Sequence, residues 1–277
     1  MLLLSLACAT PAPSDTGDPG VGVITDYVVD FQTEPDPLVA GEAGTFHFQI
    51  TDQDGAPIED LQTTHERMAH VQFVSGDLTS FQHLHHEDYA PLTGEDLRDA
   101  DFEFPVTVPL AGDYRVVFDF AHLNAYLAES AWLTAAGSPA QAAAPDLTPN
   151  DVATDHGVTG TLTWDAPAVP GYEASFSVHL VDEAGVDVTD LVQYLGADAH
   201  AFLTTSDLAW TAHTHAWFPD MENVAPGHPM PQVYVGPDLP FHYVLPAPGT
   251  YKAWIQLTRG SAPDVPIVLV YTFVVAG

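Results

Sequence analysis

The sequence predicts an all-β protein of two tandem β-sandwich repeats. Three observations predict it: an internal repeat at a shift of 130 residues, short alternating runs of Val, Phe, Tyr, Thr and Trp, and Gly, Pro or Asp turns about every ten residues. The chain has 277 residues, enough for two cores of ordinary size.

The repeat comes first. Residues 37–85 align without a gap onto 167–215, with 14 of 49 positions identical, among them Gly41/Gly171, Phe46/Phe176, Asp77/Asp207 and Leu78/Leu208. A second block resumes at a shift of 137, matching Phe104, Pro109, Gly112, Tyr114 and Arg115 with Phe241, Pro246, Gly249, Tyr251 and Lys252. The second copy therefore carries a seven-residue insertion between the blocks. The implied organisation is a leader and flexible segment over 1–25, repeat 1 over 26–137, a linker over 138–157 and repeat 2 over 158–277.

The strands follow from the runs Phe46–Ile50, Phe176–Leu180, Tyr114–Phe120 and Tyr251–Leu257. Asp-Gly at 54–55 and Ala-Gly at 184–185 read as turns between them. Asp52 and Asp54 invite a calcium-loop reading, but copy two has Ala184 in place of the second carboxylate and no bidentate Glu follows at loop distance, so the turn reading stands.

Thirty-eight acidic residues against five basic ones give a net charge of −33, which argues against nucleic acid or an anionic membrane surface as partner; a cation is the natural ligand, while a hydrated surface as in salt-adapted proteins accounts for the acidity equally well, so charge by itself decides nothing. The single cysteine, Cys8, makes no internal disulfide and no thiolate metal cluster, so a metal would be held by His, carboxylate or Met. Cys8 ends the apolar opening Met-Leu-Leu-Leu-Ser-Leu-Ala-Cys, which resembles a bacterial lipoprotein signal and implies export to the periplasm or cell surface with a lipid anchor in the outer membrane. No other apolar run approaches the ~20 residues of a membrane span.

Three histidines recur in each copy, spaced His, twelve residues, His, one residue, His: His70, His83 and His85, then His200, His213 and His215. If Gly76-Asp77 and Ser206-Asp207 are two-residue hairpin turns, His70 lies opposite His83 and His200 opposite His213. His85 and His215, two residues further along, then share the same face. The other face, carrying Val71, Phe73, Leu78 and Leu84 or Ala201, Leu203, Leu208 and Trp210, points to the core, which leaves the histidines accessible. Each triad suits a copper or zinc ion. The same arithmetic offers Met68 to the first site and Asp198 to the second as fourth ligands. His47, His86, His122, His179 and His242 have no counterpart and read as surface or edge residues, and Met221, His228 and Met230 as part of a Pro-rich loop.

The motifs Gly-Asp-Leu-x-x-Phe-x-His-x-His (76–85), Ser-Asp-Leu-x-x-x-x-His-x-His (206–215), Pro-x-x-Gly-x-Tyr-Arg (109–115) and Pro-x-x-Gly-x-Tyr-Lys (246–252) resemble the secreted YtkA-like domains. That resemblance covers about residues 45–120 and 175–257 and implies an Ig-like or cupredoxin-like β-sandwich with heavy-metal binding. Where such domains commonly carry Pro after the final His, His86 and Ala216 stand here. The expected function is an exported copper- or zinc-binding protein, one three-histidine site per repeat, for metal storage or handover, with another envelope protein as a further partner. The alternative is a structural or adhesive Ig-like envelope protein. No Gly-x-Ser-x-Gly nucleophile, phosphate loop or placed general base points to an enzyme.

Overall fold

A computed structural model describes residues 27–217 and 231–277. Cys8 and its flanking apolar run, together with Met221, His228 and Met230, lie outside the described residues. Among those described, no helix is long and apolar enough to cross a membrane.

Repeat 1 is a sandwich of two antiparallel sheets. The first runs in the order β1 (Tyr27–Glu34), β2 (Gly44–Asp52), β5 (Asp101–Val106); the second β4 (Phe81–Leu84), β3 (Ala69–Ser75), β6 (Gly112–His122), β7 (Ala125–Ala135). Alternation along β2 and β5 aims Phe46, Phe48, Phe102 and Phe104 at Val71, Phe73, Val116 and Phe118 of the facing sheet. Phe46 and Phe73 meet edge to face at 4.9 Å. The short helix α1 (Gly94–Asp99), closed by a capping box on Thr93, leads into β5.

Repeat 2 repeats this plan. One sheet runs β14 (Asp238–Val244), β10 (Glu173–Asp182), β9 (Val158–Trp164), β8 (Val152–Asp155). In the other, β15 (Gly249–Arg259) pairs with β11 (Leu191–Val192), β12 (His200–Thr205) and β16 (Ala262–Val275), and β12 pairs with β13 (Thr211–His215). Residues 152–155, expected in the linker, are thus the edge strand β8, and the rest of that segment is tied down. Ala142 N–H donates to Asp77 at 2.7 Å and Asn150 exchanges backbone and side-chain bonds with the end of β16.

The repeated residues outside the histidines hold turns. Tyr114 Oη donates to Leu110 O at 2.8 Å and Tyr251 Oη to Ala247 O at 2.7 Å, the tyrosine corner of Ig-like sandwiches, which explains the Pro-x-x-Gly-x-Tyr motif. Asp52 Oδ1 accepts from the Asp54 and Ala56 N–H groups, and Asp182 Oδ1 from Ala184 and Val186, so both are turn residues as expected.

The two-residue hairpin turns are corrected. Val71 pairs with Leu84 and Gln72 with His83, while His200 pairs with His215 and Phe202 with His213, so each turn contains four residues rather than two. Asp77 and Asp207 cause this: Asp77 Oδ1 accepts from Ser75 Oγ at 2.6 Å and Thr79 N at 3.1 Å, and Asp207 Oδ1 from Thr205 Oγ1 at 2.6 Å and Ala209 N at 3.1 Å. Leu78 and Leu208 are held at φ 58° and 57°. A register change of two residues keeps the strand side chains on their expected faces, where a change of one would have reversed them, but Leu78 and Leu208, expected to point to the core, fall in the longer turns and do not join either sandwich core.

What those faces meet also differs from expectation. Val71, Phe73, Ala201 and Leu203 point into the sandwich cores. The histidine face, expected to be accessible, is buried against the same face of the other repeat. A third apolar cluster joins Val74, Leu78 and Val117 to Phe202, Leu208 and Trp254, with Phe81 stacked on Phe202 and on Trp254 at 5.3 Å each. Every residue of β3 is consequently buried. Replacing Phe202 by Ala should cost ~3–5 kcal/mol. Because Phe202 belongs to the seam and to neither sandwich core, the substitution should also separate one urea transition into two, read by far-UV circular dichroism. A loss below ~1 kcal/mol with an unchanged transition would show that the seam is not a structural unit.

Candidate metal centre at the seam

β3 and the β3–β4 hairpin place His70, His83 and His85 on one face, and β12 and β13 place His200, His213 and His215 on the equivalent face. The seam then brings all six together. The two triads, expected one per repeat, adjoin each other across the seam: His70 and His213 have ring centroids 5.2 Å apart, and His83 and His213 4.9 Å.

In the first triad His70 Nδ1, His83 Nε2 and His85 Nε2 are 2.9–3.1 Å from one another. The opposite nitrogens all face oxygens: His70 Nε2 meets Thr64 O at 3.0 Å, His83 Nδ1 meets Gln256 Oε1 at 3.0 Å, and His85 Nδ1 meets Asp88 Oδ2 at 2.7 Å. An imidazole that donates outward to an oxygen carries its only proton there, so three lone pairs point inward at each other. These three nitrogens would hold a metal ion, whose bonds to imidazole nitrogen are ~2.0–2.1 Å for zinc.

The second triad follows this design at His200 and His213. His200 Nδ1 is 3.0 Å from His213 Nε2, and His200 Nε2 donates to Tyr194 O at 2.7 Å. His213 Nδ1 lies 3.2 Å from Asp119 Oδ2. Donor atoms of His200, His213 and His215 fall within 4.8 Å of one another, as do those of His70, His83 and His213. Asp119 faces His70 across the β3–β6 ladder and Gln256 faces His200 across β12–β15. Each repeat thus reaches across the seam to the middle histidine of the other.

Neither expected fourth ligand joins the cluster. Met68 is buried in the first sandwich core, and Asp198, whose Oδ2 accepts the N–H groups of Val233 and Tyr234 at 2.8 and 2.6 Å and whose Oδ1 is buried without a hydrogen bond, does not fall within donor reach of the histidines as a group. The two-residue register change that put His85 and His215 opposite His70 and His200 is the reason. Among the histidines without a repeat counterpart, His122 bridges Tyr27 and Asp60, His179 pairs with Asp238, His86 accepts from Glu103 N, and His47 pairs with Asp101; none joins the cluster.

The sequence does not single out His65, whose counterpart is Leu195. It sits at φ 47° in the turn 64–67, is buried, and lies over His215 with centroids 3.6 Å apart. Gly196, in the matching turn of repeat 2, has no room for a Cβ, which would meet the His65 backbone at 2.9 Å. The signal that finds His65 is spatial rather than repetitive. Buried polar atoms without partners gather here as well: both amide atoms of Gln72, which pairs with His83, together with His215 Nε2, His65 Nδ1 and Asp119 Oδ2. A cleft of about 350 Å³ lined by Arg67, Asp88, Tyr194 and Asp264 leads from solvent to the Asp88 carboxylate on His85.

Fold and seam define a two-repeat β-sandwich protein with an all-imidazole cluster between the repeats. The chain belongs to the family described as domain of unknown function DUF8832, whose model matches residues 23–137 and 152–272, one match per repeat. No curated protein matches it. Among solved structures it is similar to the Escherichia coli adhesin FdeC (14% identity, 87% of this chain and 63% of that chain, TM-score 0.26). It is also similar to two fibronectin type-III domains of chicken tenascin (9% identity, 90% and 98% covered, TM-score 0.24) and to the Yersinia pseudotuberculosis adhesin InvE (10%, 88% and 58%, TM-score 0.24). The chain therefore spans under two thirds of the FdeC chain it matches.

Burial, followed by the neighbouring imidazoles, lowers His70, His83 and His200 well below the usual histidine value of 6.5, lowers His215 likewise, and takes His65 to about 3. Burial also lowers His85, although Asp88 acts the other way. Above pH 6.5 neither the folded nor the unfolded chain protonates these rings, so they contribute no pH dependence. Below 6.5 the unfolded chain takes up protons that the folded chain does not, and stability falls by ~1.4 kcal/mol per pH unit for each such ring. Urea unfolding of metal-free protein should therefore show a steep loss from pH 6.5 to 5. A flat profile over that interval would mean that the rings are hydrated in solution.

Proposed function

We propose that the protein binds a copper or zinc ion through the seam histidines and holds it, or hands it on, in the cell envelope. The observation that carries this reading is the set of three inward nitrogens at 2.9–3.1 Å whose outward partners are all oxygens. Neutral lone pairs forced together repel one another, and a cation converts that repulsion into coordination. All-imidazole donors favour copper and zinc over the hard cations, with copper the stronger binder. The likeness of the histidine motifs to YtkA-like domains supports the same chemistry. The apolar opening that ends at Cys8 supports export and a lipid anchor, and the high negative charge supports attraction of cations.

A second reading is favoured by a different observation. The apolar cluster around Phe202 and Trp254 joins the repeats with no ion required, as a rigid structural or adhesive Ig-like module of the envelope would need. Titration separates the two. Tag-free protein should bind copper and zinc, and saturation at ~1,000 times Kd should add ~4 kcal/mol to its unfolding free energy. The Asp88→Asn and Gln256→Ala variants, which leave every imidazole in place, should weaken binding ~10–100-fold. Protein that takes up neither metal, at unchanged thermal stability, would leave only the structural reading.

A further inference from the structure

The six repeated imidazoles form one continuous group. Within the triads ring centroids are 4.6–5.2 Å apart. Across the seam, His70 and His83 are 4.9–6.3 Å from His200 and His213. His213 lies within donor reach of both sets. Resting on the metal-binding reading, we propose that the two triads are a single two-metal centre, holding two ions within a few ångströms of each other.

Two features of the seam suit a pair of ions better than one. The first is the approximate two-fold relation, in which His83 meets Gln256 of repeat 2 and His213 meets Asp119 of repeat 1. Each triad is thereby completed by the other repeat, as in the self-complementary contact of a symmetric dimer. The second is charge. Two cations this close need anionic oxygen nearby, and Asp119 Oδ2 is buried at the seam, 3.2 Å from His213, without a hydrogen bond. Asp88 supplies a second carboxylate behind His85. The amide of Gln256 behind His83, where the Asp119 carboxylate stands behind His213, makes the two positions unequal.

The test uses the full chain loaded with Cu(II), with copper content and electron paramagnetic resonance measured on one sample. The expected result is two coppers per chain, with detectable spins well below the copper content or a half-field transition from the coupled pair. Mixed copper–zinc loading requires no substitution and should restore a full spin count per copper, which distinguishes coupling from reduction to Cu(I). Two coppers with full, magnetically isolated spins would overturn the paired centre while leaving metal binding intact. One copper per chain would do the same, since a single ion would then be shared by the six rings. No copper bound would overturn the metal-binding reading and the paired centre together.

Discussion

The burial of one polar sheet face against its own repeat is the constraint on which the rest of the structure depends. In a lone sandwich that face would be wet, and histidine, glutamine and threonine along β3 and β12 would suit it. Here both faces of the strand are covered, so each polar group on it must find a partner inside the protein. The outward nitrogens do so through Thr64 O, Tyr194 O, Gln256 and Asp88. The inward nitrogens face only one another. Apolar side chains on the same seam, from Phe81 through Trp254, supply the attraction that keeps these rings in contact despite the unfavourable surroundings of their lone pairs.

Much of this was legible in the sequence because duplication separates what a β-sandwich needs from what a site needs. Phe46/Phe176, Tyr114/Tyr251 and Asp77/Asp207 recur and prove to be core, corner and turn residues. His70, His83 and His85 recur with His200, His213 and His215 and prove to be the cluster. Alternation fixed the face on which each histidine lies. It survived the wrong turn length because the register moved by two residues. What the sequence did not disclose was the neighbour of that face. Alternating polar residues signal a solvated surface, and a pattern with period two carries no information about whether a second repeat covers it. The same limit hid His65, which enters from a turn whose counterpart is Leu195, and it gave Met68 and Asp198 a role that the true register denies them.

The departures from two-fold symmetry are as informative as the symmetry. The framework contacts are shared: Thr64 O and Tyr194 O occupy equivalent positions on His70 and His200. The groups that vary include those behind the middle histidines. Asp119 stands where repeat 2 has Gln256, and Gln72 where it has Phe202. Imidazoles with different outer oxygens differ as ligands, because the outer partner sets the basicity of the inward nitrogen.

Stability and site chemistry therefore rest on the same term. Desolvation disfavours the charged form of His70, His83, His85, His200 and His215, and neutrality is what makes their lone pairs available to a cation. Opening the seam to water would relieve the repulsion among the inward nitrogens, but it would also expose Phe202 and Trp254 and release the reciprocal contacts of His83 with Gln256 and of His213 with Asp119. The apolar seam thus holds the rings in an arrangement they would not adopt alone. A bound ion would strengthen the inter-repeat joint by occupying the point where the two repeats repel each other most.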